Sequence, residues 1–155
     1  MRKFIQQKLK EQKGLTLIEL LAVIVILAII AAIAIPAIGN IIENSRVGAA
    51  KSDVLNAINA AELYLADNPD NTANVTLTEL NPATGVTYLD DPGTLDTFVF
   101  VPSTKEIYAV ATPTGLSISF GVSATDTVTK AAVAALPNNT RAAATGTSDG
   151  ITVTP

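Results

Sequence analysis

The chain has 155 residues, a formal net charge of −4, and no cysteine, histidine or tryptophan. It therefore has no thiolate nucleophile, no thiolate zinc ligand and no histidine for general-base chemistry or metal binding, and we predict neither an enzymatic activity nor a metal or cofactor site. After the first fourteen residues the chain carries five basic and thirteen acidic side chains, a net charge of −8. This acidity argues against nucleic-acid binding.

The first predicted segment, residues 1–14, is a polar, basic leader. Its five basic residues are opposed by one acid, Glu11. Basic residues beside an apolar segment keep that flank in the cytoplasm. A secretory signal would be cut after its apolar core, at small residues. No such site is evident here, because the helical pattern continues past Ala31, Ala32 and Ala34.

Residues 15–42 form the second segment, which is predicted to be a membrane-spanning or filament-core helix. A helix needs about 20 apolar residues to cross the hydrocarbon core of a bilayer, and Glu19 is the only charged residue in this stretch. A carboxylate in such a setting is costly and is usually functional, so Glu19 should have a partner. Pro36, followed by Gly39, predicts a kink or local unwinding, which is either functional or a harmless irregularity.

Residues 43–67 continue the helix with an amphipathic pattern, and Asn68-Pro69 is predicted to end it. Apolar residues recur at three- and four-residue steps, which is the spacing of one helix face. They are Ile41, Ile42, Val47, Ala50, Val54, Ile58, Ala61 and Leu65.

Residues 68–155 are predicted to form a β-rich head, because short apolar runs alternate with turn residues. The predicted strands are residues 75–80, 86–89, 97–101, 107–112, 116–123 and 151–154, the last at an edge, and residues 128–136 are interpreted as a short helix. The fold class is therefore α+β: a long N-terminal helix whose second half packs on a small antiparallel sheet. Four acids in this region, Asp90, Asp91, Asp96 and Glu106, could contribute to a calcium site, but solvated turn acids are the preferred interpretation.

The stretch from Lys13 to Pro36, with Gly14 followed by Leu-Thr-Leu-Ile-Glu-Leu-Leu, resembles the processing site of the type IV pilin family, which includes the pseudopilins. The resemblance implies that a membrane peptidase cuts between Gly14 and Leu15 and methylates the new amine of Leu15. Glu19 and Pro36 match the carboxylate and the kinking proline of the family. One departure is Leu15, where phenylalanine is most frequent.

Cleavage would place a positive amine at Leu15, one helical turn before Glu19. The two groups could pair within one chain or, in a staggered bundle, between neighbouring chains. We expect the second arrangement, in which Glu19 sets the register of assembly.

The resemblance further implies a membrane precursor with a cytoplasmic leader, which becomes a subunit of an extracellular type IV pilus. Its partners would be other copies of the chain, the prepilin peptidase, an assembly platform and an ATPase, and its roles would be adhesion, motility or DNA uptake. A major pilin is favoured because Glu19 is present and the head is small. The alternatives are a pseudopilin of a secretion or competence system and a membrane-anchored binding domain that does not polymerise.

Overall fold

The computed structural model of the chain describes residues 2–121, 127–137 and 151–154. It contains one long helix followed by a small antiparallel sheet, which confirms the predicted α+β class. The elements in chain order are α1 (Arg2–Asp67), β1 (Val75–Thr76), α2 (Leu77–Leu80), β2 (Leu95–Val101), β3 (Glu106–Ala111), β4 (Ser117–Phe120), β5 (Val128–Thr129), α3 (Lys130–Ala135) and β6 (Ile151–Thr154).

The chain divides into two compact units, Met1–Ile41 and Ile42–Pro155. The described side chains of the first unit belong to α1 and begin at Leu17. Almost all of them are exposed, and Pro36 lies inside the helix. The kink at Pro36 and Gly39 stays a prediction.

The sheet in the second unit has the order β1-β2-β3-β4-β6, and β5 pairs with the free part of β3 beside β4. All the pairings are antiparallel, and the central β2–β3 hairpin runs from Leu95↔Ala111 to Val101↔Glu106. A register shift between Leu95 and Thr97 marks a β-bulge. Because the bulge adds a residue, Asp96 and Thr97 are both exposed, and Phe98 returns to the buried face.

The core lies where the second half of α1 packs on the inner face of this sheet. On the helix the buried residues follow one face, as predicted, but this face begins at Val47; Ile41 and Ile42 are exposed. Alanines at positions 50, 57, 60 and 61 occupy much of the buried helix face. The sheet contributes the larger side chains: Phe98, Phe100, Ile107, Ile118 and Phe120.

Polar contacts hold both sides of this half of α1. On one side Lys51 donates to the carbonyl oxygen of Leu136 at 2.9 Å, and Lys130 donates to Asn59 Oδ1 and Glu62 Oε2, each at 2.9 Å. On the other side Asp53 accepts from Thr94, and Asp67 accepts from the hydroxyl of Tyr88 at 3.0 Å. Residues two positions apart, such as Lys51 and Asp53, lie about 200° apart around a helix, so the two sets of contacts hold opposite sides.

Three of the predicted head elements need correction. Residues 75–80 form two strand residues followed by the short helix α2, because Thr76 and Glu79 make a capping box in which Glu79 Oε2 accepts from Thr76 N at 2.7 Å. The strand predicted at 86–89 is wrong: the segment forms no strand, and Tyr88 N and Leu89 N both donate to the carbonyl of Leu80. The segment 128–136 contains β5 before the predicted helix, with Thr129 as its N-cap.

The other predicted strands agree more closely with the structure. The strands predicted at 97–101 and 107–112 form the β2–β3 hairpin, and β6 is an edge strand, as predicted. The strand predicted at 116–123 is β4, which covers Ser117–Phe120; residues 122 and 123 lie outside the described part of the chain.

Candidate functional site

The strongest candidate for a functional surface is the first, apolar part of α1. From Leu17 to Ile42 its large apolar side chains are between 46% and 70% exposed. The helix is long and apolar enough to cross a membrane, with an 18-residue window of mean hydropathy 3.2 and none of that window buried. A contiguous exposed apolar surface of this extent must be covered by lipid or by another protein.

Glu19 lies within this surface, on the first described turn. Its flanking side chains are apolar and exposed: Ile18 at 64% and Leu20 at 63%. Among the residues whose side chains the structure describes, none donates a hydrogen bond or forms an ion pair with its carboxylate. Once this surface is covered by hydrocarbon, an unpaired carboxylate costs several kcal/mol, so coverage creates the need for a cationic partner.

The predicted cleavage site lies in α1 just before this turn. Gly14 and Leu15 are both helical residues. Leu15 precedes Glu19 by four positions, which is about 6 Å along a helix axis and close to one full turn. The backbone therefore places the amine that the predicted cleavage would expose on the same helical face as the carboxylate.

Pro36 and Gly39 lie farther along the same helix. A Cβ added at Gly39 would meet nothing within 4 Å, so no close contact with a residue that the structure describes requires a glycine there. The proline removes one helical N–H and obstructs the carbonyl four residues earlier. Both residues remain candidates for the kink.

Within the described part of the chain, the acids that could have formed a calcium site have separate contacts or none. Asp91 Oδ1 accepts from Gly93 N at 2.8 Å, and Glu106 Oε2 accepts from the Thr127 hydroxyl at 2.6 Å. No group of three or more possible metal ligands occurs among the described residues.

Two surface features of the head were not found by sequence reasoning. One is a groove of about 500 Å³ between the end of α1 and the β2–β3 turn. The other is Val86, which is 67% exposed. The sequence offers no periodic signal for either, because the groove is formed by distant segments and Val86 lies in a loop.

Comparison with protein families gives a match at the N-terminal part of the chain. Residues 9–35 match the family model described as the prokaryotic N-terminal methylation motif, which is the class III signal of type IV pilins and pseudopilins. The match covers Gly14, Leu15, Glu19 and the helix as far as Ile35, and it confirms the resemblance stated from the sequence. Comparison with curated proteins and with solved structures gave no match.

Proposed function

Because the chain carries the class III signal of type IV pilins and pseudopilins, we propose that it is a structural subunit, a major pilin, of a type IV pilus. One observation gives this proposal its main support. The matched signal opens a helix that exposes an apolar surface from Leu17 to Ile42 and then packs a small head on its second half. A surface of this kind suits a membrane before assembly and neighbouring helices afterwards.

The first step in the proposed life cycle is processing. The prepilin peptidase cuts the peptide bond between Gly14 and Leu15, releases the basic leader and methylates the new amine. The class III signal and the long apolar helix fit a membrane-anchored precursor, and the basic leader supports its cytoplasmic placement. The signal also implies processing by this peptidase and assembly into a pilus.

Assembly is directed by the need of the Glu19 carboxylate for a positively charged partner. The amine of Leu15 in one chain approaches Glu19 of its neighbour, so that both charges leave water together. The pair adds little net stability, because desolvation offsets most of the attraction, but a misregistered helix leaves a buried charge unpaired and costs about 3–5 kcal/mol. The contact is heterologous and does not close on itself, so it extends as a helical fibre.

The remaining parts of the proposal concern partners and place. A membrane platform and an ATPase drive assembly, and the mature subunit ends in an extracellular filament that serves adhesion, motility or DNA uptake. The acidic remainder of the chain gives no support for direct nucleic-acid binding. No cofactor is needed for any of these roles.

A pseudopilin is the second candidate, because the matched motif is shared by both groups. It would form a short piston in secretion or competence instead of a long surface fibre. Filament length at native expression separates the two. The third candidate, an anchored binding domain, predicts no filament.

The experiment that tests the proposal is intact-mass measurement of the mature protein. We expect the mass of residues 15–155 plus one methyl group. A mature protein that retains the leader would overturn the proposal, and a cleaved protein found only in membranes would favour the anchored binding domain.

A further inference from the structure

The groove between the end of α1 and the β2–β3 turn lies on one side of the head. It encloses about 500 Å³ and is lined by Glu62, Leu65, Ala66, Phe100, Pro102 and Lys105. Four of these residues are apolar, and Phe100 forms part of the buried core. The groove is therefore an apolar depression in an otherwise acidic head.

Two charged residues border the groove and differ in their contacts. Glu62 is already paired with Lys130 at 2.9 Å. Lys105, at the β2–β3 turn, is exposed and forms no salt bridge with any residue that the structure describes. An occupant of the groove should therefore combine an apolar side chain with a nearby carboxylate.

The head itself contains a segment that combines an exposed apolar side chain with nearby carboxylates. Val86 is 67% exposed. Among the described residues of the second unit, the other large apolar side chains with high exposure are Ile42 and Leu63. It follows Gly85, where φ is +115° and where an added Cβ would meet nothing within 4 Å, so the loop extends into open space. Asp90 and Asp91 follow on the same loop and are exposed.

Val86 and the groove lie on opposite sides of the helix. The loop that carries Val86 is held to α1 through Tyr88, which contacts Tyr64 and Asp67. Glu62 and Leu65 line the groove and lie two positions before Tyr64 and Asp67, respectively. Each is therefore about 200° around α1 from the residue that contacts Tyr88. Val86 therefore cannot fill the groove of its own chain without unfolding the loop.

We propose that Val86 of one copy inserts into the groove of a second copy, where Asp90 and Asp91 approach Lys105. Since the two surfaces differ and lie on opposite sides, the contact is heterologous and repeats from copy to copy without closing. It packs the heads side by side, in addition to the helix contact through Glu19. This inference rests on the proposed assembly into filaments.

Cysteine cross-linking tests the proposed contact directly, because the natural chain contains no cysteine. The full chain carrying Val86→Cys and Ala66→Cys is assembled into filaments, oxidised and separated without reductant. We expect a ladder of disulfide-linked multimers that collapses to monomer on reduction. The matched control pairs Val86→Cys with Ala49→Cys, an exposed α1 residue outside the groove, and should give no ladder.

A second measurement uses charge reversal and does not depend on cysteine. Lys105→Glu should lower the yield of filaments severalfold, and adding Asp90→Lys should restore much of it. Filaments of the parent chain that assemble normally while the 86/66 pair gives no ladder would overturn the contact and leave the pilin proposal intact. Cross-linking of residue 86 to a different protein would also overturn it. If the parent chain is cleaved but forms no filament, both proposals fail.

Discussion

Asp53 on α1 and Thr94 before β2 are joined through a single oxygen. Asp53 Oδ2 accepts from Thr94 N at 2.8 Å and from Thr94 Oγ1 at 2.7 Å. The preceding residue, Gly93, has a φ of +61°, and a Cβ added there would come within 2.4–2.6 Å of the same carboxylate. The loop can approach the helix this closely only because residue 93 has no side chain.

Gly93→Ala should therefore destabilise the head by more than its backbone conformation alone explains. Left-handed backbone costs a non-glycine residue about 1–2 kcal/mol, and displacement of Asp53 adds the loss of its hydrogen bonds. The matched control is Gly115→Ala, where φ is +75° and the nearest atom, of Arg46, is at 3.6 Å. Denaturant unfolding of the full chain in detergent measures both, and equal losses would contradict the prediction.

Removing the Asp53 carboxylate should lower the free energy of unfolding by a large amount for a single side chain. Asp53→Ala deletes the acceptor of two hydrogen bonds, and bonds to a charged group contribute about 1.5–3 kcal/mol each. Thr94→Val removes only the hydroxyl and should cost less. In a double-mutant cycle, Thr94→Val should have almost no further effect in the Asp53→Ala background; additive losses would show that the hydroxyl does not act through Asp53.

Tyr88 should make stability fall at alkaline pH. Partial burial, the hydrogen bond to Asp67 and the charge of Asp67 raise the pKa of Tyr88 above its ordinary value of 10.0. The folded state thus holds this proton more tightly than the unfolded state. The stabilisation is complete below the unfolded pKa and is lost as pH rises through the folded pKa.

The test compares the parent chain with Tyr88→Phe from pH 9 to about 11, a range set around the ordinary tyrosine pKa. The variant should lose stability less steeply over this range. Tyr108→Phe, which removes a tyrosine from β3 instead, serves as the control and should retain the steep decline. The same decline in the free energy of unfolding with pH for all three proteins would contradict the prediction.

Glu19→Ala should separate membrane insertion from assembly. The substitution removes the only charge of the apolar segment, so insertion should be unchanged or improved, whereas the helix loses the group that we propose sets its register. We expect normal amounts of cleaved protein in the membrane fraction and at least a tenfold loss of sheared filaments, as follows from an assembly cost of about 1.4 kcal/mol or more. Leu20→Ala is a neighbouring control that should assemble, and unimpaired filaments from Glu19→Ala would contradict the proposed role of Glu19 in setting the register of assembly.

Sequence reasoning worked best where one physical pattern extends over many residues. The helix end at Asp67 followed from Asn68-Pro69, and the buried face from Val47 to Ala61 followed from its periodicity. The β2–β3 hairpin was clear because two apolar runs flank a short turn. The class III signal was legible for a similar reason, since its residues lie close together in the chain.

The errors arose where distant contacts or a local capping motif decide the conformation. Residues 86–89 have strand-like composition, yet Tyr88 is held by Tyr64 and Asp67 instead of by a strand partner. Residues 75–78 alternate like a strand, but a local capping box makes residues 77–80 a helix. Neither the pairing of β5 with β3 nor the groove beside Phe100 has a local signature, because each needs segments far apart in the chain.

The polar contacts on both sides of α1 have a mechanical consequence. If the chain assembles into the proposed fibre, tension that enters a subunit through its helix must reach the sheet by shear across the seam where the helix and the sheet pack. That seam contains several alanines and no covalent cross-link, so apolar packing alone would let the helix slide. The polar contacts resist this sliding and distribute the force between two edges of the head. They are made by Lys51 and Lys130 on one side and by Asp53 and Asp67 on the other.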